Sequence, residues 1–385
     1  MENNDLDFDD IRPLRNEEVH ATIEKIVSDP FFRKTVAPYL ESVTWKNLIH
    51  RMRQCKTVND FQEQISCPVL LKLFANTQTK ISSSNWESIK EEQSYLYISN
   101  HRDIVLDAAV LNILMFLNER ETVEIAIGDN LLIIPWVSDL VRLNKSFIVK
   151  RDIPIKQLLE KSQHLSEYIS DAIINKNRSI WIAQREGRAK DSNDLTQIGV
   201  VKMLAMYDKK NLLQALIDLN IVPLSLSYEY DPCDYLKAKE FQMKRDNPNH
   251  KKTFFDDVEN MRTGIMGHKG HVHIQFGRPI KNKLEQLDKN MDRNTILSSV
   301  ATIIDKEIHR NYRFFIHNYI AYDLMTDGNT FSHKYSKMDR NDFEKYIRKQ
   351  LDKIDLEDKD EEFLRSKIIL MYGNTVKNYL EAQEE

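Results

Sequence analysis

The chain has 385 residues, of which 41% are hydrophobic, and its formal net charge is −4 at pH 7. This length and apolar content suffice for one large domain with appendages or for two domains. Such a balance of charges is not typical of a generic nucleic-acid binder, so we expect no nucleic-acid partner. With nine glycines and ten prolines, the composition favours long helices over a hairpin-rich sandwich or barrel.

The cysteines and the apolar segments indicate a cellular setting. Cys55, Cys67 and Cys233 have no metal-ligand spacing and are odd in number, which favours a reducing cytoplasm and predicts no metal site. The N-terminus, MENNDLDFDD, is acidic and polar and has no signal-peptide pattern. The longest apolar stretch, residues 104–117, is shorter than the ~20 residues that a membrane span requires. Any membrane contact is therefore expected to be peripheral.

Sequence periodicity divides the chain into three regions. Residues 1–80 are predicted to form an N-terminal helical region, because apolar residues recur at three- and four-residue spacing. Residues 77–85, TQTKISSSN, are predicted to be a polar linker. Residues 86–281 alternate between strand and helix patterns, and residues 282–385 are predicted to be a C-terminal helical region.

Six segments of the central region have the alternating or β-branched composition of buried strands. They are SYLYIS (94–99), VEIAIG (123–128), SFIVK (146–150), SIWIAQ (179–184), NIVPLSLSY (220–228) and HVHIQFG (271–277). Helical segments lie between most of them. The predicted fold class is α/β, with a central mixed sheet flanked by helices and with helical N-terminal and C-terminal regions. The order of the strands cannot be read from the sequence.

The first of these strands ends in a histidine with two aspartates nearby. The stretch ISNHRDIVLDAA contains His101, Asp103 and Asp107 and leads into an apolar helix. A histidine paired with a carboxylate is the minimum for general-base activation of a hydroxyl, because the carboxylate fixes the tautomer and stabilises the imidazolium. The structural alternative is that Asp103 caps the helix and Asp107 is a solvated helix residue.

Two later strand ends are rich in cations, which are suited to binding phosphate. The residues are Lys150 and Arg151 after SFIVK, and Arg185, Glu186, Gly187 and Arg188 after SIWIAQ. The glycine lets backbone and ligand approach closely. The alternatives are a basic surface turn at the first site and an ordinary polar loop at the second.

Taken in order, these stretches resemble the glycerolipid acyltransferase superfamily, which includes the glycerol-3-phosphate and lysophosphatidate acyltransferases. The similar segments are SNHRDIVLD, PWVSDLVRLNKSFIVKR, EGR, VPLSLSYE and IQFGRPI, and the resemblance covers about residue 86 to residue 280. The resemblance departs from the family pattern in spacing. Five residues separate His101 from Asp107 where the family has four, and one residue separates Glu186 from Arg188 where the family has two.

The resemblance implies transfer of a fatty acyl group from acyl-carrier protein or acyl-CoA to a hydroxyl of glycerol-3-phosphate or 1-acylglycerol-3-phosphate. No cofactor is implied. His101 would be the base and Asp107 its partner, while Asp103 would cap the helix. Lys150, Arg151 and Arg188 would bind the acceptor phosphate.

The resemblance also implies that Arg185, Glu186 and Gly187 shape the acceptor pocket. A cytoplasmic protein at the inner face of the membrane is expected. The basic segment 237–252 is a candidate for docking an acidic carrier protein or anionic lipids, or is a solvated insertion.

Three alternatives remain open. The acceptor is an amino-lipid without phosphate, the chain is a non-catalytic lipid-binding relative of the fold, or His101 activates water in a hydrolase. The spacing departures are compatible with local bulges that keep the side chains in place, with an altered acceptor pocket or with an inactive site.

Overall fold

A seven-stranded mixed sheet forms the centre of the computed structural model, which describes residues 7–37, 42–151 and 153–384. The strands are β1 (Lys80–Ser84), β2 (Leu96–Ser99), β3 (Glu124–Gly128), β4 (Ser146–Val149), β5 (Ile180–Ala183), β6 (Ile221–Tyr228) and β7 (His271–Phe276). Their order across the sheet is β1-β7-β6-β2-β5-β3-β4. The five strands from β6 to β4 in that order run parallel, and β7 is antiparallel to β6. The predicted α/β class is confirmed.

All six predicted strands are present, and β1 is a seventh that falls in the predicted polar linker. That linker prediction is wrong because the serines of β1 bind polar residues of β7. Ser82 Oγ lies 2.6 Å from His271 Nε2 and 2.7 Å from His273 Nδ1, and Ser84 Oγ lies 2.8 Å from His273 Nε2. Cross-strand hydrogen bonds thus replace the apolar pattern by which strands are usually recognised.

The region before β1 is helical, as the sequence predicts. Its helices are α1 (Asn16–Ser28), α2 (Pro30–Val36), α3 (Ser42–Gln54), α4 (Val58–Phe61) and α5 (Cys67–Asn76). They pack around an apolar cluster that includes Val19, Phe32 and Phe61, and this cluster extends to Leu143 beside β4. The N-terminal helices are therefore packed against the sheet-bearing part of the chain.

The sheet is buried on both faces by the helices between its strands. These helices are α6 (Leu106–Leu117), α7 (Pro135–Arg142), α8 (Ile155–Ser170), α9 (Ile198–Leu204), α10 (Leu212–Asp218), α11 (Asp234–Asp246) and α12 (Phe254–Met266). Along β2, Leu96 and Ile98 join one apolar cluster while Tyr97 joins the other, on the opposite face. This two-sided burial is typical of parallel α/β sheets.

The C-terminal region is helical and contacts the same core. Its helices are α13 (Lys281–Glu285), α14 (Arg293–Arg310), α15 (Ile316–Met325), α16 (Lys337–Asp352) and α17 (Glu361–Gln383). The apolar face of α14, with Val300, Ile304 and Ile308, belongs to the cluster that contains Leu96 of β2. Whether the predicted boundaries near residues 80 and 281 separate independent domains stays a prediction. Within the described ranges, no helix is both long and apolar enough to cross a membrane.

Candidate active site

The carboxyl ends of five parallel strands meet at one edge of the sheet, and His101 lies there, just after β2. Asn100 fixes the start of this turn. Its side chain donates to Leu226 O at 2.9 Å and accepts from Leu226 N at 2.8 Å, so it continues the pairing of β2 with β6 by one residue. This edge is where α/β proteins commonly bind ligands.

His101 is paired with Asp107, which lies in the first turn of α6. His101 Nδ1 is 2.7 Å from Asp107 Oδ2, and the aspartate is 1% exposed. The same Oδ2 accepts from Arg102 N at 2.7 Å and Asp103 N at 3.1 Å, while Oδ1 accepts from Tyr228 OH at 2.8 Å. Four donors therefore stabilise the buried carboxylate, as a buried charge requires.

The pairing leaves the other imidazole nitrogen available for chemistry. With Nδ1–H donated to Asp107, Nε2 of His101 is the unprotonated nitrogen of the neutral ring. Nε2 has no hydrogen-bond partner among the residues that the structure describes, and 15% of the His101 side chain is exposed. The ring edge faces Trp181 with centroids 6.0 Å apart. Such an arrangement can accept a proton from a bound hydroxyl.

Asp103 has a different environment from Asp107. Its Oδ1 accepts from Val105 N at 2.9 Å and from Leu106 N at 2.8 Å, which are free donors at the start of α6. Burial, followed by the charge of Asp107, raises the pKa of Asp103. The additional residue between His101 and Asp107 lies in the turn before α6. It does not separate His101 from Asp107.

A buried ionic network holds the residue next to His101. Arg102 Nη1 donates to Asp194 Oδ1 at 2.7 Å, and Arg102 Nη2 lies 2.5 Å from Asp194 Oδ2. Tyr312 OH donates to Asp194 Oδ2 at 2.5 Å, and His309 Nε2 donates to Asp194 O at 2.7 Å. Lys237 Nζ donates to Arg102 O at 2.9 Å. The C-terminal region thus holds the loop after β5 directly and the histidine turn through Asp194.

The predicted cations of β4 lie beside the loop after β5. Lys150 is exposed. Arg151 Nη1 lies 3.6 Å from Glu186 Oε1, and Arg151 N donates to Asp129 Oδ1 at 3.0 Å. Gly187 has φ +68°, a left-handed conformation that glycine adopts readily. Arg151 and Glu186 are therefore brought together across this edge of the sheet.

Arg188 contacts a different element. It is 9% exposed, and its Nη2 donates to Asn260 Oδ1 of α12 at 3.1 Å. Its Nη1 is buried and has no hydrogen-bond partner within the described ranges, and the same holds for Nε of Arg185. Within the described ranges, Arg188 shares no hydrogen-bond or ion-pair partner with Lys150 or Arg151.

A model of the acyltransferase family matches residues 80–227, from the first residue of β1 to the last but one of β6. This segment belongs to the acyltransferase family. The predicted family resemblance and the prediction of an acyltransferase are thereby confirmed. A solved structure that matches the chain is the 1-acyl-sn-glycerophosphate acyltransferase PlsC from Thermotoga maritima, at 12% identity, 74% coverage of this chain, 92% coverage of that chain and a TM-score of 0.34. No curated protein matches the chain.

Several residues around the site of this acyltransferase were missed by the sequence reasoning. Tyr228 is the last residue of β6, and its sequence pattern predicts only a buried strand. A tyrosine at the end of a strand can nevertheless place its hydroxyl at the edge of the sheet where the site lies. Burial, followed by the charge of Asp107, keeps the pKa of Tyr228 well above its usual value, so the hydroxyl remains a donor. Asp194 and Tyr312 carry no local signal, because their partners are distant in the sequence.

Proposed function

We propose that the acyltransferase moves a fatty acyl group from a thioester donor, acyl-CoA or acyl-carrier protein, to a hydroxyl of glycerol-3-phosphate or 1-acylglycerol-3-phosphate. The observation that supports this most strongly is the pair formed by His101 and the buried Asp107, with Nε2 of the histidine left available. A hydroxyl is a weak nucleophile at neutral pH and needs such a base.

The proposed reaction is direct transfer within a ternary complex. His101 Nε2 removes the proton from the acceptor hydroxyl as the oxygen attacks the thioester carbonyl. The tetrahedral intermediate collapses, the carbon–sulfur bond breaks, and the imidazolium returns the proton to the departing thiolate. Asp107 stabilises the imidazolium in between. No covalent acyl-enzyme is required.

The acceptor phosphate is proposed to bind at the cationic strand ends. Arg188 is the best supported ligand, because it is buried with an unpartnered Nη1 and its positive charge acts on Asp103 in the histidine turn. A guanidinium suits bidentate binding of a phosphate. Lys150 and Arg151 would contribute from β4, while Arg185, Glu186 and Gly187 shape the loop between these cations.

A position on the cytoplasmic face of the membrane is proposed as well. Ile133 follows β3 and is 64% exposed, and Leu159 follows β4 and is 66% exposed. The bond from Arg151 N to Asp129 Oδ1 joins the segments that directly follow β3 and β4 at the edge of the sheet that carries His101, and Leu159 lies further on, in α8. Exposed aliphatic side chains beside lysines such as Lys150 favour contact with an anionic bilayer surface.

The test is an acyl-transfer assay with purified protein and a panel of acceptors. Glycerol-3-phosphate, its 1-acyl form and the matched dephosphorylated compounds are each offered with acyl-CoA and with acyl-carrier protein, and products are identified by mass spectrometry. The proposal expects an ester product with a phosphorylated acceptor. Release of free fatty acid at a rate independent of acceptor would instead indicate a hydrolase, and efficient use of the dephosphorylated compounds would remove the phosphate from the proposal.

A further inference from the structure

One buried carboxylate, that of Glu240 on α11, faces three lysines. Lys244 Nζ lies 3.0 Å from its Oε1, and Lys252 Nζ lies 3.3 Å from its Oε2. Lys190 Nζ also pairs with its Oε1. The lysines come from the loop after β5, from α11 and from the turn before α12. We refer to Lys190, Lys244 and Lys252 as the lysine cluster.

The lysine cluster carries more positive charge than its neighbours neutralise. Besides Glu240, the further carboxylate that pairs with it in the described chain is Asp257, whose Oδ1 lies 3.4 Å from Lys252 Nζ. Arg188 adds a fourth cation, and after burial its charge is the next cause that lowers the pKa of Lys252. Four basic side chains therefore face two carboxylates.

Two further observations indicate that this surplus of charge is uncompensated. The Nη1 of Arg188 is buried without a hydrogen-bond partner among the described residues. The pKa of Lys190 is lowered to about 6, first by burial and then by the charges of Lys252 and Lys244. Partly buried cations that repel one another are costly unless an anion neutralises them.

Helix α12 connects the lysine cluster to the histidine turn. Asn260 accepts the hydrogen bond from Arg188. One helical turn further along, Gly264 lies against the carboxylate of Asp103 so closely that no side chain would fit. Asp257, which pairs with Lys252, is seven residues before Gly264, or roughly 10 Å along the helix axis. The lysine cluster therefore lies within the span of one substrate from the histidine turn.

We propose that the lysine cluster is an anion-binding site that takes a phosphomonoester group, separate from the Lys150–Arg151 end of the sheet. The assignment of that phosphate to a substrate rests on the proposed function. It belongs to the ribose phosphate of a coenzyme A donor or, with the lysine cluster and Arg188 in place of Lys150 and Arg151 as ligands, to the acceptor. Three cations of the segment 237–252 then contact groups of the protein, since Lys237 is buried and Lys244 and Lys252 pair with Glu240.

The test is calorimetric titration of the purified full-length chain with two probes, sn-glycerol 3-phosphate and adenosine 3′,5′-bisphosphate. Lys190→Gln and Lys252→Gln are compared with Lys251→Gln, a neighbouring exposed lysine outside the cluster. We expect wild type to bind at least one probe, the two cluster variants to bind it at least ten-fold more weakly, and the control to stay within about two-fold. The probe that is lost identifies the substrate carrying the phosphate.

The melting temperatures without probe show whether the variants fold. Because each substitution relieves repulsion, Lys190→Gln and Lys252→Gln should melt no lower than wild type. Binding of the probes by both variants as tightly as by wild type, or no binding of either probe to wild type, would overturn the proposal.

The variant His101→Ala separates this proposal from the proposed function, because it should lose turnover and still bind the probe. Turnover that survives in His101→Ala, together with probe binding lost in Lys252→Gln, would leave the anion site standing without the proposed chemistry. Loss of turnover in His101→Ala together with unchanged probe binding in Lys252→Gln would support the proposed chemistry and overturn the anion site.

Discussion

The guanidinium of Arg102 and the carboxylate of Asp194 form a buried two-point ion pair between the histidine turn and the loop after β5. Tyr312 of the C-terminal region completes it, with its hydroxyl 2.5 Å from Asp194 Oδ2. Burial, followed by the charge of Asp194, keeps the pKa of Tyr312 well above its usual value, so the hydroxyl donates. The C-terminal region therefore fixes the position of the site through the bond from Tyr312 to Asp194.

We expect Tyr312→Phe to destabilise the protein and to lower turnover. Loss of one hydrogen bond to a buried carboxylate should reduce the free energy of unfolding by about 1.5–3 kcal/mol. The turnover number should fall while the acceptor KM changes little, because Tyr312 acts on the histidine turn and not on the substrate. Urea unfolding and steady-state kinetics measure both. Tyr322→Phe is the control, since the Tyr322 hydroxyl makes no hydrogen bond within the described chain. Equal effects of the two substitutions would refute the coupling.

The two aspartates near His101 should respond differently to the same substitution. Asp107→Asn should reduce turnover by roughly 10²–10⁴-fold, because the amide no longer stabilises the imidazolium. Asp103→Asn keeps an oxygen for Val105 N and Leu106 N, so it should cost about 1 kcal/mol of stability and leave most activity. Initial rates and melting curves of both variants test this assignment of the two aspartates. An inactive Asp103→Asn beside an active Asp107→Asn would reverse the assignment.

Stability should fall in mild acid because of His317. Burial lowers the pKa of His317 from its ordinary value of 6.5 to about 4, and its Nε2–H donates to Glu229 O. Between these two values the unfolded chain binds a proton that the folded chain does not, so the free energy of unfolding decreases as the pH falls. The contribution lost between pH 7.5 and pH 5 is about 2 kcal/mol.

Urea unfolding at pH 7.5 and pH 5 measures this contribution. His317→Gln should be less stable than wild type at pH 7.5 but should lose less on acidification. His20→Gln, which changes an exposed histidine, should behave as wild type does. The same acid dependence in His317→Gln as in wild type would show that another group is responsible.

Membrane binding should depend on the exposed aliphatic residues Ile133 and Leu159. The double variant Ile133→Glu, Leu159→Glu should lose most of its co-sedimentation with vesicles that contain phosphatidylglycerol, because two charges would have to enter the interface. Met338→Glu, on exposed α16, is the matched control and should bind as wild type does. Undiminished binding of the double variant would place the lipid contact elsewhere on the molecule.

The sequence predicted those parts of the fold that depend on local apolar patterns. The six strands with alternating or β-branched residues were found, whereas β1 was missed because Ser82 and Ser84 hide its pattern. Strand order depends on contacts between distant segments, as when β2 lies between β6 and β5. The residue pattern of a single strand does not determine which other strands lie next to it in the sheet.

The same distinction applies to the site. His101 and Asp107 are close in the sequence and share one turn, so their pairing could be predicted. The contact of Arg102 with Asp194 joins residues 92 positions apart, and that of Tyr312 with Asp194 joins residues 118 positions apart. The orientation of the Arg188 side chain depends on its hydrogen bond to Asn260 of α12. Because α12 follows β6, this orientation could not be inferred from the loop that contains Arg188.

His101 is proposed to remove the proton of the acceptor hydroxyl. The most direct measurement is the initial rate of ester formation by purified His101→Ala, with the acceptor that wild type uses and with the melting curve recorded alongside. We expect a loss of roughly 10²–10⁴-fold or more, to the background rate, in a protein that melts as wild type does. A variant that keeps most of the wild-type rate with an unchanged melting curve would contradict it.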